Sequence, residues 1–288
     1  MLAELEGRTA VVTGAASGIG LGLARRCAER GMNVAMLDVE PGALERVAAD
    51  VGEPGRVVWH TADVRDGTSM EKAAAAVAER FGSAHLLCNN AGVTITGPLW
   101  EMTENDCRWV LDVNLLGVMN GVRTFLPSMI ASGESGHVVN TASLAGLLPT
   151  PNASIYSATK AAVEALSEVL HHDLDAAGSS IGVSVLCPGL VRTKILTSDR
   201  NRPADRSGSA APPIPDAAHA AFEKGTDPLD VADRVLAAVA NDDFIILTND
   251  AGRPDLAARL DAIGELRLPP PPRPEAITPD RSTGPAES

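Results

Sequence analysis

The 288-residue chain contains a single tyrosine, Tyr156, and one of its four lysines, Lys160, follows four positions later. Residues four apart on a helix lie on one face, with Cβ atoms about 5–6 Å apart. An ammonium group at that distance favours the phenolate and lowers the pKa of the phenol from its ordinary value of about 10. The pair is therefore a candidate general acid/base. The alternative at this point is a half-buried tyrosine with a solvated lysine beside it.

A glycine-rich turn joins the first apolar run of the chain to a predicted helix. It reads TGAASGIG over residues 13–20. Glycines allow a tight turn, and the backbone N–H groups at the start of the following helix can bind a pyrophosphate. An acid, Asp38, ends the second apolar run, which is the context that a dinucleotide-binding turn requires. The turn therefore predicts a bound dinucleotide.

Asp38 also indicates which dinucleotide is bound. Its carboxylate can accept hydrogen bonds from the hydroxyls of the adenosine ribose, and its charge would repel a 2′-phosphate. No basic residue stands at Ala15, Ala16, Ser17 or Val39 to bind such a phosphate. We therefore predict NAD as the cofactor. The alternative for Asp38 is an ordinary turn residue at the end of a strand.

Short runs rich in valine and leucine alternate with longer helical stretches along the chain. This alternation predicts βαβ units, and hence an α/β fold with a doubly wound parallel sheet of seven strands between two layers of helices. The predicted strands are Thr9–Gly14, Asn33–Val39, Arg56–Val64, His85–Asn90, Gly136–Ser143, Gly182–Pro188 and Phe244–Thr248. Ligands of such sheets bind at the carboxyl ends of the strands, where the glycine-rich turn and Asp38 lie.

We assign residues 1–268 to one NAD-binding domain and residues 269–288 to a proline-rich tail. The tail holds seven prolines in twenty residues and little that could be buried, so we predict disorder, with a strap over a neighbouring subunit as the alternative. Within the domain, residues 194–226 form a long irregular insertion. Its apolar residues favour a substrate-binding lid over a disordered linker; they are Ile195, Leu196, Ile214 and Phe222.

The composition disfavours several classes of partner. A net charge of −13 and a pI near 4.9 argue against nucleic acid and anionic membranes. The four cysteines are far apart and the six histidines form no metal motif, so we predict no metal. The N-terminus lacks the basic and apolar regions of a signal peptide, and no apolar run is long enough to span a bilayer. We therefore predict a cytoplasmic protein.

Further motifs follow in an order that resembles the short-chain dehydrogenase/reductase family. They are NNAG at residues 89–92, Asn114 in a long predicted helix, Ser143 at the end of the fifth strand, and PGLVRT at residues 188–193. With the glycine-rich turn and the Tyr156–Lys160 pair, these motifs cover the chain from about Arg8 to Leu247. The resemblance implies a Rossmann-type fold in a single domain and an NAD(H)-dependent oxidoreductase.

The resemblance also implies a role for each residue of the site. Tyr156 exchanges a proton with the substrate oxygen, while Lys160 lowers the pKa of the phenol and binds the nicotinamide ribose. Ser143 orients the substrate, and Asn114 kinks its helix and holds a water in the proton relay. The implied cofactor contacts are Gly14, Ser17, Gly18, Ile19, Gly20, Asp38, Asp63, Val64, Asn90, Ala91, Gly92, Tyr156, Lys160, Pro188, Gly189, Val191 and Thr193.

The sequence constrains the substrate less closely. The residues expected around it are Thr94, Ile95, the segment 144–152, Leu190 and the lid. Because they are mainly apolar, we predict a moderately apolar secondary alcohol or ketone, such as a cyclic, terpenoid or steroid-like compound. Arg200, Arg202 and Arg206 of the lid are candidates to anchor an anionic group instead. The alternative functions are NADPH-dependent reduction of an acyl thioester or a sugar, and NAD(H) sensing without catalysis.

The resemblance implies a homotetramer or homodimer, formed through the two long helices that follow the fourth and fifth strands. The second of these helices, predicted at Ser154–Ala177, has apolar residues on more than one stripe. Such a helix can pack on the sheet and on another subunit at once. A well-buried helix in a monomer is the alternative.

Overall fold

The computed structural model describes residues 2, 4–53, 55–208, 214–273 and 276. Seven strands form one parallel sheet, as predicted. They are β1 (Thr9–Thr13), β2 (Asn33–Asp38), β3 (Val57–Thr61), β4 (Leu86–Asn89), β5 (Gly136–Thr141), β6 (Ile181–Cys187) and β7 (Ile245–Leu247). The predicted bounds differ from these by at most three residues. The largest difference is at β3, an edge strand, where Val64 was the predicted end and Thr61 is the observed one.

Ten α-helices lie in the described ranges. They are α1 (Gly18–Glu29), α2 (Pro41–Val51), α3 (Gly67–Phe81), α4 (Glu104–Leu111), α5 (Gly117–Ser132), α6 (Leu144–Leu147), α7 (Ser154–Ala176), α8 (Asp216–Glu223), α9 (Pro228–Asn241) and α10 (Arg253–Gly264). A π-helical turn, Asp112–Leu116, joins α4 to α5, and short 3₁₀ segments occur at Leu99–Glu101, Ile195–Asn201 and Ala204–Arg206.

The strands are arranged in the order β3-β2-β1-β4-β5-β6-β7. The chain changes direction across the sheet between β1 and β4, where residues 10–12 pair with residues 86–88. Loops diverge at such a switch point and leave a crevice at the carboxyl edge of the sheet. The topology therefore predicts a ligand site beside the ends of β1 and β4.

The core consists of two apolar layers, one on each face of the sheet. On one face Val12 and Val34 pack with Val235 of α9, and on the other Val11 and Leu87 pack with Phe125 of α5. Strands buried on both faces need helices over each of them, and the described helices supply that cover. The predicted three-layer α/β/α architecture is confirmed.

The lid and the tail lie partly outside the described residues. The described part of the lid contains two 3₁₀ segments and α8. Of the tail, the structure describes only residues 269–273 and 276. Arg273 forms an ion pair with Asp255 of α10, and Ala276 is buried against Leu144 and Leu148. The predicted disorder concerns residues that lie mostly outside the described ranges, and it stays a prediction.

The described part of the chain was expected to contain neither a membrane-spanning helix nor a metal-binding group of side chains. No helix there is long and apolar enough to cross a bilayer. No group of three or more His, Cys, Asp or Glu side chains is placed to hold a metal ion within the same ranges.

Candidate active site

A cavity of about 390 Å³ opens at the carboxyl edge of the sheet, between the ends of β1 and β4. Every residue predicted to be catalytic or to contact the cofactor lines it except Gly20 and Asn114. The predicted residues in its walls are Gly14, Ser17, Gly18, Ile19, Asp38, Asp63, Val64, Asn90, Ala91, Gly92, Ser143, Tyr156, Lys160, Pro188, Gly189, Val191 and Thr193. Motifs separated by up to 179 positions in sequence, from 14 to 193, are thus brought into one space.

The glycine-rich turn forms one wall of the cavity. Gly14 and Gly18 have φ values of 66° and 55°, in the left-handed region that glycine adopts without strain. A Cβ atom on Gly14 would lie 2.9 Å from Cα of Ala91, and one on Gly18 would lie 2.9 Å from Cγ2 of Thr193. The turn is therefore enclosed on both sides. Residues 17–19, at the start of α1, line the cavity.

Gly20 serves the packing of the turn and does not line the cavity. A side chain there would overlap the carbonyl oxygen of Gly14 and come within 2.7 Å of Nδ2 of Asn90. Thr13 supports the same region, because its Oγ1 accepts hydrogen bonds from the N–H groups of Asn90 and Ala91, at 2.9 and 3.1 Å. The ends of β1 and β4 are thereby tied together beneath the cavity.

Asp38 ends β2 at the edge of the cavity and is 9% exposed. Its Oδ2 accepts a hydrogen bond from the N–H of Ala16 at 2.9 Å, and its Oδ1 accepts one from the N–H of Glu40 at 3.1 Å. Burial raises the pKa of Asp38, and these two backbone donors oppose that rise. Asp63, a second acid in the cavity wall, is held in a bidentate ion pair by Arg65. Asp38 is thus the acid of the two that has no cationic partner in these contacts.

Tyr156, Lys160 and Ser143 line the same cavity. Nζ of Lys160 lies 5.7 Å from the centroid of the Tyr156 ring, so the two side chains share one face of α7 as predicted. Lys160 is 3% exposed, and its ammonium group donates a hydrogen bond to the carbonyl oxygen of Thr141 at 2.7 Å. Ser143 caps α6, because its Oγ accepts a hydrogen bond from the N–H of Ala145 at 3.1 Å.

Burial opposes the expected lowering of the Tyr156 pKa in the chain without cofactor. Burial raises the pKa of Tyr156 above its ordinary value, and a hydrogen bond with Ser143 opposes the rise. Burial also lowers the pKa of Lys160 to about 8, although Cys187 and Glu164 oppose that change. The physical reason is desolvation, which disfavours both the phenolate and the ammonium. The effect of Lys160 on the pKa of Tyr156 therefore stays a prediction for the complex with oxidised cofactor.

Asn114 lies in the π-helical turn between α4 and α5 and is fully buried. Its Oδ1 accepts a hydrogen bond from the N–H of Val93 at 2.8 Å, and its Nδ2 donates to the carbonyl of Val93 and to Oγ1 of Thr159, at 2.9 and 3.2 Å. The side chain thus clamps the loop after β4 to α7. That amide is engaged in three bonds, and the predicted role of Asn114 in holding a water stays a prediction.

The remaining wall of the cavity is mainly apolar. Thr94, the lid and part of the segment after Ser143 contribute to it as predicted, whereas Ile95 is buried in the core and does not line it. Its large apolar members include Trp109, Val113, Leu144, Leu190, Ile195, Leu196 and Phe222. Sequence reasoning missed Trp109 and Val113 of the α4 region. Helical spacing gave no signal for them, because residues one and five positions from Asn114 do not share its helix face.

The three lid arginines proposed as anion anchors are engaged in ion pairs instead. Arg200 donates to Oε1 of Glu40 through Nε and Nη2, at 3.2 and 3.0 Å, and Arg206 pairs with Asp112 at 3.0 Å. Arg202 forms a buried ion pair with Asp106, and its guanidinium lies 4.8 Å from the ring of Trp109. These pairs fasten the lid to three separate parts of the domain.

Comparison with known proteins identifies the family. A sequence profile described as short chain dehydrogenase matches residues 8–204. The 1-deoxy-11-beta-hydroxypentalenate dehydrogenase of Streptomyces arenae is 37% identical over 276 residues, which cover 93% of this chain and 92% of that protein. The C alpha-dehydrogenase of Sphingobium sp. strain SYK-6 is 34% identical over 266 residues, covering 90% and 86% respectively.

A solved structure agrees with these sequence matches. A short-chain dehydrogenase/reductase from Burkholderia phymatum, in complex with NAD, is similar with a TM-score of 0.89 and 40% identity, covering 94% of this chain and 99% of that one. The profile spans more than half of the sequence, and the enclosed glycine-rich turn faces the Tyr156–Lys160 pair across one cavity. The chain is an oxidoreductase that belongs to the short-chain dehydrogenase/reductase family.

Proposed function

We propose that the protein is an NAD(H)-dependent oxidoreductase that interconverts a secondary alcohol and a ketone. The observation that carries this proposal is the single cavity shared by the glycine-rich turn, Asp38 and the Tyr156–Lys160–Ser143 group. Alcohol oxidation needs a hydride acceptor beside the carbinol carbon and a proton acceptor beside the hydroxyl group on that carbon. One enclosed space with a dinucleotide cradle and a phenol provides for both.

The residues present fit a bound dinucleotide. The left-handed Gly14 and Gly18 leave room where side chains would collide with neighbouring backbone and Thr193, and the N-terminus of α1 favours an anionic pyrophosphate. Asp38 has the placement expected of a ribose ligand. When bound, the nicotinamide ring accepts a hydride from the alcohol or donates one to the ketone.

The chain's own residues then handle the proton. In the oxidation, the phenolic oxygen of Tyr156 accepts the hydroxyl proton of the alcohol. In the reduction, it donates that proton to the ketone oxygen. Ser143, whose hydroxyl lies in the same wall, donates a hydrogen bond to the substrate oxygen and fixes its position. Lys160 supplies a positive charge beside the phenol, and Asn114 holds the loop and α7 in register behind it.

We expect the pKa of Tyr156 to be lowered only in the complex with oxidised cofactor. Moving the pKa of Tyr156 from about 10 to near 7 requires roughly 4 kcal/mol of preferential phenolate stabilisation. Burial raises the pKa of Tyr156 in the chain alone, so we expect the lowered value only when the oxidised cofactor is bound. An oxidised nicotinamide would add its positive charge to that of Lys160.

The substrate proposed is a moderately apolar alcohol or ketone without an anionic group. Two observations support it. The substrate wall is built from Trp109, Leu144, Leu190 and Phe222, and the lid arginines are occupied by carboxylates. The name of the relative from Streptomyces arenae, a hydroxypentalenate dehydrogenase, is consistent with a hydroxyl group as the site of oxidation.

A coupled screen tests the function directly. The purified protein is incubated with NAD⁺ and a panel of secondary alcohols of increasing apolar surface, and NADH formation is followed by absorbance. We expect turnover to increase with the apolar surface of the alcohol until the alcohol becomes too large for the cavity. Binding of NADH without turnover on this panel, or on the matching ketones, would support a sensing protein instead.

Replacing Asp38 by asparagine is expected to lower kcat/KM for NAD⁺ by about 10- to 100-fold, because charge-assisted hydrogen bonds to the ribose, worth about 1.5–3 kcal/mol, become neutral ones. The value for NADP⁺ should rise, since the repulsion of its phosphate is removed. Initial rates with each cofactor measure the change. Asp63→Asn is the matched comparison: Arg65 already neutralises that acid, so the ratio of the two cofactors should stay nearly constant. A larger change of the ratio in Asp63→Asn would count against Asp38 as the determinant.

The predicted homo-oligomer and cytoplasmic location stay predictions. The helices proposed for subunit contact do expose apolar side chains, with Met119 of α5 at 38% and Val169 of α7 at 57%. Those surfaces are what an interface through α5 and α7 would cover.

A further inference from the structure

A carboxylate lies one helical turn beyond the proposed acid/base pair. Glu164 follows Lys160 by four residues on α7 and Tyr156 by eight, so it lies roughly 6 Å along the helix axis from the lysine and roughly 12 Å from the tyrosine. Its Oε1 lies 3.6 Å from Sγ of Cys187, at the end of β6. Nothing in the proposed proton transfer uses this carboxylate.

The packing around Glu164 is specific to a glycine at position 146. A side chain on Gly146 would overlap Oε1 of Glu164 and would come within 2.8 Å of the backbone carbon of Lys160. Helix α6, which begins directly after Ser143, therefore presses on α7 at the catalytic lysine, and the carboxylate fills the space beneath Gly146. Three elements of the active site, α6, α7 and β6, meet around this one side chain.

The buried ammonium of Lys160 requires a counter-charge. A charge removed from water is costly unless it is paired. Lys160 is 3% exposed and its hydrogen bond goes to a neutral carbonyl, that of Thr141. Glu164 and Cys187 are the groups whose negative charge acts on this ammonium. Of these, the carboxylic acid ionises more readily, because burial raises the pKa of Cys187 well above that of a free thiol.

We propose that Glu164 is a positioning residue for the reaction, which acts through Lys160 by supplying the counter-charge that keeps its buried ammonium protonated. This inference rests on the proposed function. The charged and titratable groups that act on Glu164 are Lys160 on its own helix, Cys187 on β6 and Arg259 on α10. Distance favours the lysine over the tyrosine, so the carboxylate supports the ammonium more than it opposes the phenolate.

The two side chains favour each other's charged forms. Burial raises the pKa of Glu164 to about 7, opposed by the thiol of Cys187, by Lys160 and by Arg259. The pKa of Lys160 is lowered to about 8, and Glu164 opposes that change. Removal of the carboxylate should lower the pKa of Lys160 further and move the loss of activity at alkaline pH to lower values.

Glu164→Gln tests the inference, with Glu168→Gln as the matched control one turn further along α7, where the side chain is exposed. The chain has four lysines, so labelling lysine with ¹³C gives few signals, and the signal missing in Lys160→Met identifies that of Lys160. We expect the Lys160 titration of E164Q to move down by about one pH unit. The alkaline limb of kcat/KM for NADH-dependent ketone reduction should move by the same amount. E168Q should match the unsubstituted protein in both measurements.

Glu164→Asp provides the second variant and keeps the carboxylate. Compared with E164Q, its Lys160 titration and the alkaline limb of its kcat/KM should lie much closer to those of the unsubstituted protein. A merely structural defect would not produce this recovery. Unchanged titration and pH profile in both Glu164 variants, with Lys160→Met inactive, would overturn the inference while leaving the proposed function intact. Full activity of Lys160→Met would overturn the proposed function itself.

Discussion

Replacing Tyr156 by phenylalanine is expected to reduce kcat by roughly 10³-fold, within the range of about 10²–10⁴ that positioned acid/base groups contribute. The phenol lines the cavity beside Ser143 and Lys160, and the ammonium group of Lys160 is engaged by the carbonyl of Thr141. The substitution removes a single oxygen atom and leaves the ring in place. Steady-state rates with NAD⁺ and the best alcohol from the screen measure the loss.

Cofactor binding serves as the control for the Tyr156 variant. The contacts of the glycine-rich turn and of Asp38 do not involve Tyr156. The dissociation constant for NADH, measured by quenching of tryptophan fluorescence, should stay within about tenfold, since at most one of many hydrogen bonds to the cofactor is lost. A variant that keeps its kcat, or one that loses NADH binding along with it, would contradict the assigned role.

Replacing Arg202 by methionine is expected to lower the free energy of unfolding by roughly 3–5 kcal/mol, the usual loss when one partner of a buried ion pair is removed. The side chains of Arg202 and Asp106 are 9% and 2% exposed, so the carboxylate would be left in the core without its cation. The guanidinium also covers the ring of Trp109, which lines the cavity. The KM for substrate should therefore rise as well. Urea unfolding followed by circular dichroism measures the stability.

Arg206→Met is the matched control for the lid. Arg206 and Asp112 form a similar ion pair, but their side chains are 29% and 25% exposed. Solvent screens such a pair, and we expect a loss of about 1 kcal/mol or less. Equal losses in the two variants would show that burial of the Arg202–Asp106 pair is not what fastens the lid.

The sheet and most of the cavity could be predicted from local patterns. Runs such as Thr9–Thr13 are buried on both faces, and strands of that kind are continuous apolar stretches that stand out in a sequence. The glycine-rich turn follows the same logic, because a left-handed Gly14 next to Ala91 tolerates no other residue without strain. These features depend on a few residues that are close in the sequence and on the usual topology of a parallel α/β sheet.

The features that could not be predicted depend on contacts between distant segments. Arg202 and Asp106 are 96 positions apart, and nothing in the lid's composition shows which acids its arginines meet. The i,i+4 spacing to Lys160 indicates a nearby charge but not the burial of Tyr156, which raises its pKa in the chain alone. The position of Glu164 depends on its contacts with Gly146 of α6 and Cys187 of β6. These elements are separate in the sequence, so the contacts could not be predicted from it.

A pH titration of tyrosinate absorbance tests the central claim, that Tyr156 becomes an activated base in the complex with oxidised cofactor. The chain has one tyrosine, so the signal, corrected for the three tryptophans, reports Tyr156 alone. Without cofactor we expect the transition above the ordinary pKa of about 10, because burial raises the pKa of Tyr156. With NAD⁺ bound we expect it well below that value. A transition at the same pH in both states would contradict the account.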